Sequence, residues 1–287
     1  MLCTNCPLKC NTDRNLYSGL CGAKELKAAR ASLHFDEEPV IRGKGGSGTV
    51  FFCGCPLSCV FCQNFEVSRN LTGKIITASE LAEIFKKLEN TEAENINLVS
   101  PTTQIAGIIE ALTMYKPKIP VVYNSSGYEN IETVEALKDY IDIYMPDIKF
   151  FSPEISKRYT GKKNYFEIAS KAVLKMAKQA QFKIQKGVMK KGMIIRHLIL
   201  PLCTDDSVNI LNFIKDNFSD KVYVSLMSQY TPFGDISGFP ELSRKITARE
   251  YDKVVNHAVK LNFKNCYIQG LSSGNKKFIP VWNEFLN

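Results

Sequence analysis

The chain has 287 residues, a formal net charge of +8 and 45% hydrophobic residues. Its length fits one large α/β domain, or a domain of roughly 240 residues with a small extension. No stretch approaches the ~18 consecutive apolar residues that a membrane span requires, and the N-terminus lacks the apolar core of a signal peptide. The positive charges are spread out without interleaved stacking aromatics, which argues against nucleic-acid binding.

The first 21 residues carry a cluster of four cysteines: Cys3, Cys6, Cys10 and Cys21. We expect a cytoplasmic protein, in which thiols stay reduced and cysteines indicate metal ligands more than disulfides. A segment this short has no hydrophobic core, so a bound metal would supply its folding free energy. Four thiolates fit a structural zinc ion or an iron–sulfur cluster, with disulfides or free thiols as the alternative. The linker-like stretch HFDEEPVIRGKGGSG follows, so we predict a metal-binding extension at residues 1–45 and the main domain at residues 46–287.

Segments typical of strands and helices alternate through the main domain. Strands are predicted to begin at Gly48, Ile96, Ile119, Tyr140, Met193, Val222 and Asn265. Helices are predicted to begin at Thr77, Gln104, Ile131, Tyr165, Val208 and Thr247. This alternation predicts a parallel sheet with right-handed crossovers. Because no G-x-G-x-x-G follows the first strand, we favour a full or partial β/α barrel over a Rossmann fold, with its chemistry at the carboxyl ends of the strands.

A second cysteine cluster, CGCPLSCVFCQN, follows the first predicted strand at residues 53–64. Structural zinc usually takes two separated C-x₂-C pairs, whereas an iron–sulfur cubane can be held by thiolates from one compact loop. Three thiolates on four irons would leave one iron open to a small ligand, which suits catalysis better than electron carriage. We expect Cys53, which ends the strand, to be a packed thiol. Phe61 is either a core aromatic or a surface for the base of a nucleoside ligand.

The spacing Cys55-x₃-Cys59-x₂-Cys62, with an aromatic before the last cysteine, resembles the signature of radical S-adenosylmethionine (SAM) enzymes. The resemblance implies a partial (β/α)6-type barrel in which these cysteines hold a 4Fe–4S cluster. It also implies that the open iron binds SAM and that one electron splits SAM into methionine and a 5′-deoxyadenosyl radical. The string at residues 54–64 resembles more narrowly the activating enzymes of pyruvate formate-lyase. That similarity extends over the chain, through Gly46-SGTVFF, Val122-YNSSGY, Ile143-YMPDIKF, Arg196-HLILP and Met227-SQYTP.

The same resemblance implies a set of cofactor-contacting positions. Those near the cluster and SAM are Phe61, Gln63, Asn64, Ser100, Thr102, Asn124, Ser125, Met145, Asp147 and His197. Lys149 matches a family lysine on the substrate side, and His197 lies where the family places groups around the ribose. Ser100-Pro101-Thr102 stands where activating enzymes have a Gly-Gly-Glu turn, and Asn124-Ser125 where they have an Asp-Thr pair. The chain thus has fewer carboxylates here, which weakens the expectation of a monovalent cation beside SAM.

Ordinary structural roles compete with several of these assignments. Asp147 and Lys149 point the same way on a strand and would form an ion pair. His197 lies in an apolar strand, where a buried, hydrogen-bonded histidine is common. Asn124 and Ser125 would shape a turn before Gly127.

The leading functional prediction is a radical SAM enzyme that abstracts a hydrogen atom, with flavodoxin or ferredoxin as electron donor. The resemblance implies that the substrate is a glycine of a partner protein, as for a glycyl radical enzyme activase. The alternatives are radical modification of a small molecule, a peptide or RNA. A non-enzymatic alternative is a ferredoxin-like electron carrier or a zinc-bound interaction protein. The three-cysteine motif and the long α/β domain both argue against it.

Overall fold

The structure, a computed structural model, describes residues 2–273 and 282–286. The strands in this part of the chain are β1 (Lys27–His34), β2 (Ser47–Phe52), β3 (Lys74–Ile75), β4 (Ile96–Val99), β5 (Val121–Ser125), β6 (Ile143–Pro146), β7 (Lys183–Gln185), β8 (Val188–Leu198), β9 (Tyr223–Met227) and β10 (Cys266–Ile268). The helices are α1 (Pro39–Arg42), α2 (Phe65–Ser68), α3 (Ala78–Asn90), α4 (Ile105–Met114), α5 (Ile131–Ala136), α6 (Pro153–Thr160), α7 (Tyr165–Gln179), α8 (Thr204–Asn217) and α9 (Ala248–Leu261).

The strands form one sheet in the order β10-β9-β8-β6-β5-β4-β2-β1-β3, with β7 paired to β8. From β10 to β2 every neighbouring pair is parallel. β1 is antiparallel to β2, and β3 and β7 are antiparallel to their partners. The sheet does not close, because β10 and β3 lie at its two ends. The predicted α/β fold with a partial barrel is therefore confirmed.

Burial explains why these segments are strands and helices. β2, β4, β5 and β6 are buried along their whole length, as expected for parallel strands covered on both faces. α3 places Leu81, Phe85 and Leu88 in the main core, on the outer face of the sheet. The helix begins at a capping box, in which Glu80 N donates to Thr77 Oγ1 at 3.1 Å and Thr77 N donates to Glu80 Oε2 at 2.6 Å.

The stretch interpreted as a linker is more ordered than its composition indicates. His34 ends β1, which pairs with β2 along the sheet, and residues 39–42 form α1. Pro39 starts this helix, where its missing N–H costs nothing. Val40 and Ile41 pack with inward-facing side chains of β5, β6 and β8, including Met145. These two side chains close the base of the partial barrel. The glycine- and charge-rich composition of the stretch gives no sign of this contact with distant strands.

The C-terminal residues return to the opposite edge of the sheet from β10. Asn283 N donates to Ala29 O at 2.8 Å, and Leu286 N donates to Ala31 O at 3.0 Å. The ring of Trp282 meets that of Phe51 on β2 edge to face, with centroids 5.4 Å apart. Within residues 2–273 and 282–286, none of the helices combines the length and apolarity needed to cross a bilayer.

Candidate active site

The carboxyl ends of the parallel strands surround one cavity of about 260 Å³. Most of the side chains predicted from the sequence meet there. They are Cys55, Cys59, Phe61, Cys62, Gln63, Asn64, Ser100, Asn124, Ser125, Asp147 and Lys149. The chain brings them together because they lie at the carboxyl ends of four parallel strands, β2, β4, β5 and β6, which end at the same edge of the sheet.

The cysteine loop, residues 53–64, connects β2 to α2. Its second residue is Gly54, whose φ of +87° lies in the left-handed region that favours glycine. Hydrogen bonds hold the loop, including Gly54 N to Val67 O at 3.1 Å and Cys62 N to Cys59 O at 3.2 Å. Cys53 points away from the cavity, is 1% exposed, and lies 3.4 Å from the carbonyl oxygen of Thr72. The placement of Cys53 is that of a packed thiol.

Phe61 both packs into the core and lines the cavity. Its ring is 7% exposed and meets Phe150, Tyr159 and Tyr230 edge to face, with centroids 6.0, 6.3 and 6.4 Å apart. Such edge-to-face contacts fix the orientation of the ring. The loop is thereby anchored between Cys59 and Cys62, so the positions of the two thiols depend on this aromatic cluster.

Two of the three thiols of the cavity wall, Cys55 and Cys59, lie in a desolvated environment. Burial raises the pKa of Cys59 to about 12, although the Lys149 ammonium opposes that rise. Burial and the two neighbouring thiols raise the pKa of Cys55 above its ordinary value. The sulfur of Cys62 lies 3.4 Å from Ser68 Oγ. At Cys55 and Cys59 the neutral thiol is therefore favoured without a metal, and a thiolate there needs nearby positive charge.

A network of charged side chains crosses the inner face of the barrel. Lys149 Nζ donates to Asp147 Oδ2 at 2.5 Å, and Arg196 Nε donates to Asp147 Oδ1 at 3.0 Å. Arg196 Nη2 also donates to Asn124 Oδ1 at 2.6 Å. Burial by itself raises the pKa of Asp147, but Lys149 and Arg196 lower it by more. The pKa is therefore below its ordinary value, and the carboxylate stays ionised. The ion pair considered for Asp147 and Lys149 is present, and it extends to a second cation.

Sequence reasoning missed Arg196 and two carboxylates that face it. Glu37 Oε1 lies 3.7 Å from Arg196 Nη1, and Glu37 Oε2 accepts from Asn97 Nδ2 at 2.7 Å. Glu38 lines the same cavity, and burial raises its pKa. The signal for Arg196 is a charged residue inside the apolar string MIIRHLIL. Glu37 and Glu38 lie in the stretch interpreted as a linker, so nothing local marked them.

Three predicted residues do not reach the cavity. Thr102 Oγ1 points behind the Ser100 turn and donates to buried Glu129 Oε1 at 2.6 Å. Met145 faces inward below the cavity and packs with Ile41. His197 faces the helices, because the alternation of β8 turns Arg196 inward. These placements do not support the cofactor contacts that the resemblance implied for them.

His197 and Glu129 are both buried with altered proton affinity. His197 Nδ1 lies 2.7 Å from Ile148 O and Nε2 lies 2.8 Å from Ser207 Oγ. Burial lowers the pKa of His197 to about 4, so the imidazole is neutral at pH 7. Burial raises the pKa of Glu129 to about 7. His197 thus has the contacts of a satisfied structural histidine.

The N-terminal segment, residues 2–26, docks beside the cavity. Asn130 Nδ2 donates to Thr4 O at 2.7 Å, and Thr133 Oγ1 donates to Asn5 O at 2.8 Å. Cys3 N donates to Thr12 O at 2.9 Å and Asn11 N donates to Cys3 O at 3.1 Å, which brings Cys3 beside the residues that follow Cys10. Cys6 and Cys21 are buried, and the other two cysteines are partly exposed. A Cβ built on Gly19 would lie 3.4 Å from the sulfur of Cys21 and 3.5 Å from that of Cys10.

Neither cysteine cluster is arranged around a single metal ion. In the described part of the chain, no three or more His, Cys, Asp or Glu side chains stand in a geometry that could hold one. This applies equally to Cys55, Cys59 and Cys62 and to the N-terminal thiols. A single zinc ion needs sulfurs about 2.3 Å from one point, whereas a cubane is larger and takes one thiolate per iron.

Known proteins resemble this chain in sequence and in fold. A 278-residue match with 32% identity covers 92% of this chain and 76% of an uncharacterized protein of Methanocaldococcus jannaschii. A pyruvate formate-lyase-activating enzyme of Clostridium pasteurianum is 29% identical over 202 residues, which are 67% of this chain and 79% of that protein. The similarity to the activating-enzyme branch is therefore confirmed.

Solved structures share the fold at lower identity. SuiB of Streptococcus suis bound to S-adenosylmethionine superposes with a TM-score of 0.55 and 14% identity over 77% of this chain. The maturase HydG of Carboxydothermus hydrogenoformans gives 0.53 and 15% over 77%. This chain spans about half the length of both, 50% and 52%. The family model of the Radical SAM superfamily matches residues 49–214, from β2 into α8, and the chain belongs to that superfamily.

Proposed function

We propose that this chain uses SAM to abstract a hydrogen atom from a substrate bound in the cavity. The observation that carries the proposal is the convergence of Cys55, Cys59 and Cys62 on a cavity that also contains Asp147 and Arg196. Cys55, Cys59 and Cys62 would hold a 4Fe–4S cluster, which when bound would supply the one electron that cleaves SAM to methionine and a 5′-deoxyadenosyl radical. The superfamily implies both the cluster and SAM.

The three thiols suit such a cluster by their chemistry. Thiolates are the ligands that iron–sulfur clusters take, and the cavity wall offers three of them while Cys53 is packed elsewhere. All three line the same cavity from one loop, in which Cys62 N donates to Cys59 O at 3.2 Å. Lys149 acts against burial at Cys59, so it favours the thiolate that iron requires. The donor set thus supports a three-thiolate cluster with one open position.

The polar side chains of the cavity would hold and orient SAM. We assign this role to Gln63, Asn64, Ser100, Asn124 and Ser125, which line the cavity with hydroxyl and amide groups. Asp147 holds Lys149 and Arg196 in place, since it accepts hydrogen bonds from both. Because its single negative charge already faces two cations, a monovalent cation beside SAM is not part of the proposal.

The substrate is proposed to be a glycine of a partner protein. Support comes from the relative in Clostridium pasteurianum, whose name is that of an activating enzyme. The departures at Ser100 and Asn124 from the activating-enzyme pattern favour the alternative, radical modification of a small molecule, a peptide or RNA. A flavodoxin or ferredoxin would supply the electron in either case.

A second metal at Cys3, Cys6, Cys10 and Cys21 belongs to the same proposal. The thiols are gathered in a segment whose large apolar residues Leu16, Tyr17 and Leu20 are mostly exposed. Burial of thiols without an apolar core favours a metal as the stabilising element. Zinc and iron–sulfur are the two candidates, and a single zinc ion would require the four sulfurs to move closer to one point than they lie here.

The test is SAM cleavage by protein purified without oxygen. Iron and sulfide are counted, dithionite and SAM are added, and 5′-deoxyadenosine and methionine are quantified. We expect both products, and we expect Cys59→Ala to abolish them together with the iron of this site. A cluster-loaded sample that forms neither product would refute the proposed chemistry.

Cys53→Ala is the matched control for the cysteine variants. Cys53 lies two residues from Cys55 but is packed outside the cavity. It should keep the iron content and the product yield of the unchanged protein. Loss of iron in Cys53→Ala with retention in Cys59→Ala would show that the ligand assignment is wrong.

A further inference from the structure

The N-terminal segment and the cysteine loop are in contact at the backbone of Cys21. A Cβ built on Gly54 would lie 3.0 Å from the carbonyl oxygen of Cys21 and 3.3 Å from the Cβ of Ala23. The close approach requires glycine, and it joins the two cysteine clusters through backbone contact. Cys21 is therefore a direct neighbour of the loop that carries Cys55.

This contact limits the separation of the two clusters. Consecutive Cα atoms are about 3.8 Å apart, so the Cα atoms of Cys21 and Cys55 lie within about 11 Å of each other. Hydrogen bonds also connect the N-terminal segment to the residues around the cysteine loop. Arg14 Nη1 donates to Thr103 O at 2.5 Å, and Thr103 Oγ1 donates to Cys53 O at 3.0 Å. The two clusters are thus coupled by a short path of packed backbone and hydrogen bonds.

The N-terminal segment also has a solvent-facing side. Leu16, Tyr17 and Leu20 are 64%, 68% and 76% exposed. The N-terminal segment therefore offers a protein electron donor an exposed surface in the same segment as its thiols, of which Cys3 and Cys10 are themselves partly exposed.

We propose that Cys3, Cys6, Cys10 and Cys21 hold an iron–sulfur cluster that relays electrons to the cluster at Cys55, Cys59 and Cys62. The proposal rests on the proposed function. Each transfer is of one electron: a low-potential protein donor of the ferredoxin or flavodoxin class is oxidised, and the catalytic cluster is reduced. The relay cluster returns to its starting state. Zinc in this place would have no redox role, because Zn²⁺ does not change its oxidation state.

The first test measures the N-terminal cluster without the catalytic one. The variant Cys55→Ala/Cys59→Ala/Cys62→Ala is purified without oxygen, and its iron, sulfide and zinc are counted. We expect iron and sulfide to remain at the N-terminal thiols, with an electron paramagnetic resonance signal after reduction. Zinc in their place, or no metal, would overturn the proposal whatever the outcome of the SAM-cleavage assay.

The second test measures the relay in the otherwise intact enzyme. The variant Cys3→Ser/Cys6→Ser is compared with the unchanged protein, using dithionite or reduced ferredoxin as reductant. We expect the ratio of ferredoxin-driven to dithionite-driven 5′-deoxyadenosine to fall at least tenfold, because dithionite is small enough to reduce the catalytic cluster directly. An unchanged ratio would overturn the relay. That outcome includes equal falls in the ferredoxin-driven and dithionite-driven rates, which would mean that the thiols only stabilise the fold.

Cys266→Ser is the control for the loss of a partly buried thiol. Cys266 lies on β10, outside both clusters, and should leave the ratio unchanged. If the unchanged protein itself yields no 5′-deoxyadenosine with dithionite, the proposed function fails. The metal count of the triple variant still decides whether the N-terminal cluster exists.

Discussion

Neutralising Asp147 should destabilise the protein by stranding two cations. Its carboxylate accepts from Lys149 at 2.5 Å and from Arg196 at 3.0 Å, and the three side chains are 14%, 20% and 16% exposed. Removing one partner of a buried ion pair typically costs 3–5 kcal/mol, so we expect Asp147→Asn to cost about 4 kcal/mol. At roughly 2 °C per kcal/mol for a chain of this size, the melting temperature should fall by about 8 °C.

A second substitution tests the cause of that loss. Asp147→Asn/Lys149→Met removes the stranded ammonium and leaves Arg196 with Asn124 and Glu37. The double variant should regain about 2 kcal/mol relative to Asp147→Asn, a non-additivity expected of residues in one network. Melting curves recorded without oxygen on cluster-loaded protein measure both steps.

A surface ion pair provides the control for the Asp147 variants. Lys175 and Glu135 lie 3.2 Å apart and are 27% and 59% exposed. Lys175→Met should therefore cost less than about 1 kcal/mol. A double variant no more stable than Asp147→Asn would refute the reasoning, because the loss would then come from something other than unpaired positive charge.

Three further changes test the packing and protonation described above. Gly54→Ala places a methyl 3.0 Å from Cys21 O at a φ of +87°, so iron content and melting temperature should both fall, whereas Gly187→Ala, with open space around it, should spare the iron. His197 has a pKa of about 4 in the folded protein against an ordinary 6.5, so the wild-type protein binds a proton when it unfolds between these pH values. The free energy of unfolding should therefore fall by about 3 kcal/mol as the pH falls from 6.5 to 4. His197→Gln should remove this loss, as measured by urea titrations. Glu129 has a pKa of about 7 against an ordinary 4.5, so its stabilisation is present below pH 4.5 and about 3 kcal/mol is lost as pH rises to 7. Glu129→Gln should abolish this decrease of the free energy of unfolding with rising pH. If either variant has the same dependence of unfolding free energy on pH as the wild type, the substituted group does not titrate as described.

Much of the fold and of the cysteine site could be predicted because the signals are local. The spacing of Cys55, Cys59 and Cys62 is a property of one loop, and the alternation of strand and helix patterns is visible residue by residue. The strand ends at Asn124 and Asp147 also met as expected, since parallel strands place their carboxyl ends at one edge of the sheet.

The missed residues depend on contacts between distant parts of the chain. Arg196 and His197 are neighbours in one apolar strand, and only the register of β8 decides which of them faces the cavity. Glu37 reaches the cavity because β1 pairs with β2 and α1 closes the barrel base. A glycine- and charge-rich composition indicates a loop, but it contains no information about what lies across from it.

The return of the C-terminus to β1 gives the protein an optical reporter. Trp282 is the single tryptophan of the chain, and its ring contacts that of Phe51. Phe51 in turn lines the cavity. Intrinsic fluorescence excited through the indole therefore comes from one site, one aromatic ring away from where a ligand would bind. Titrating SAM or a candidate substrate while following this emission measures occupancy of the cavity without a label and without turnover.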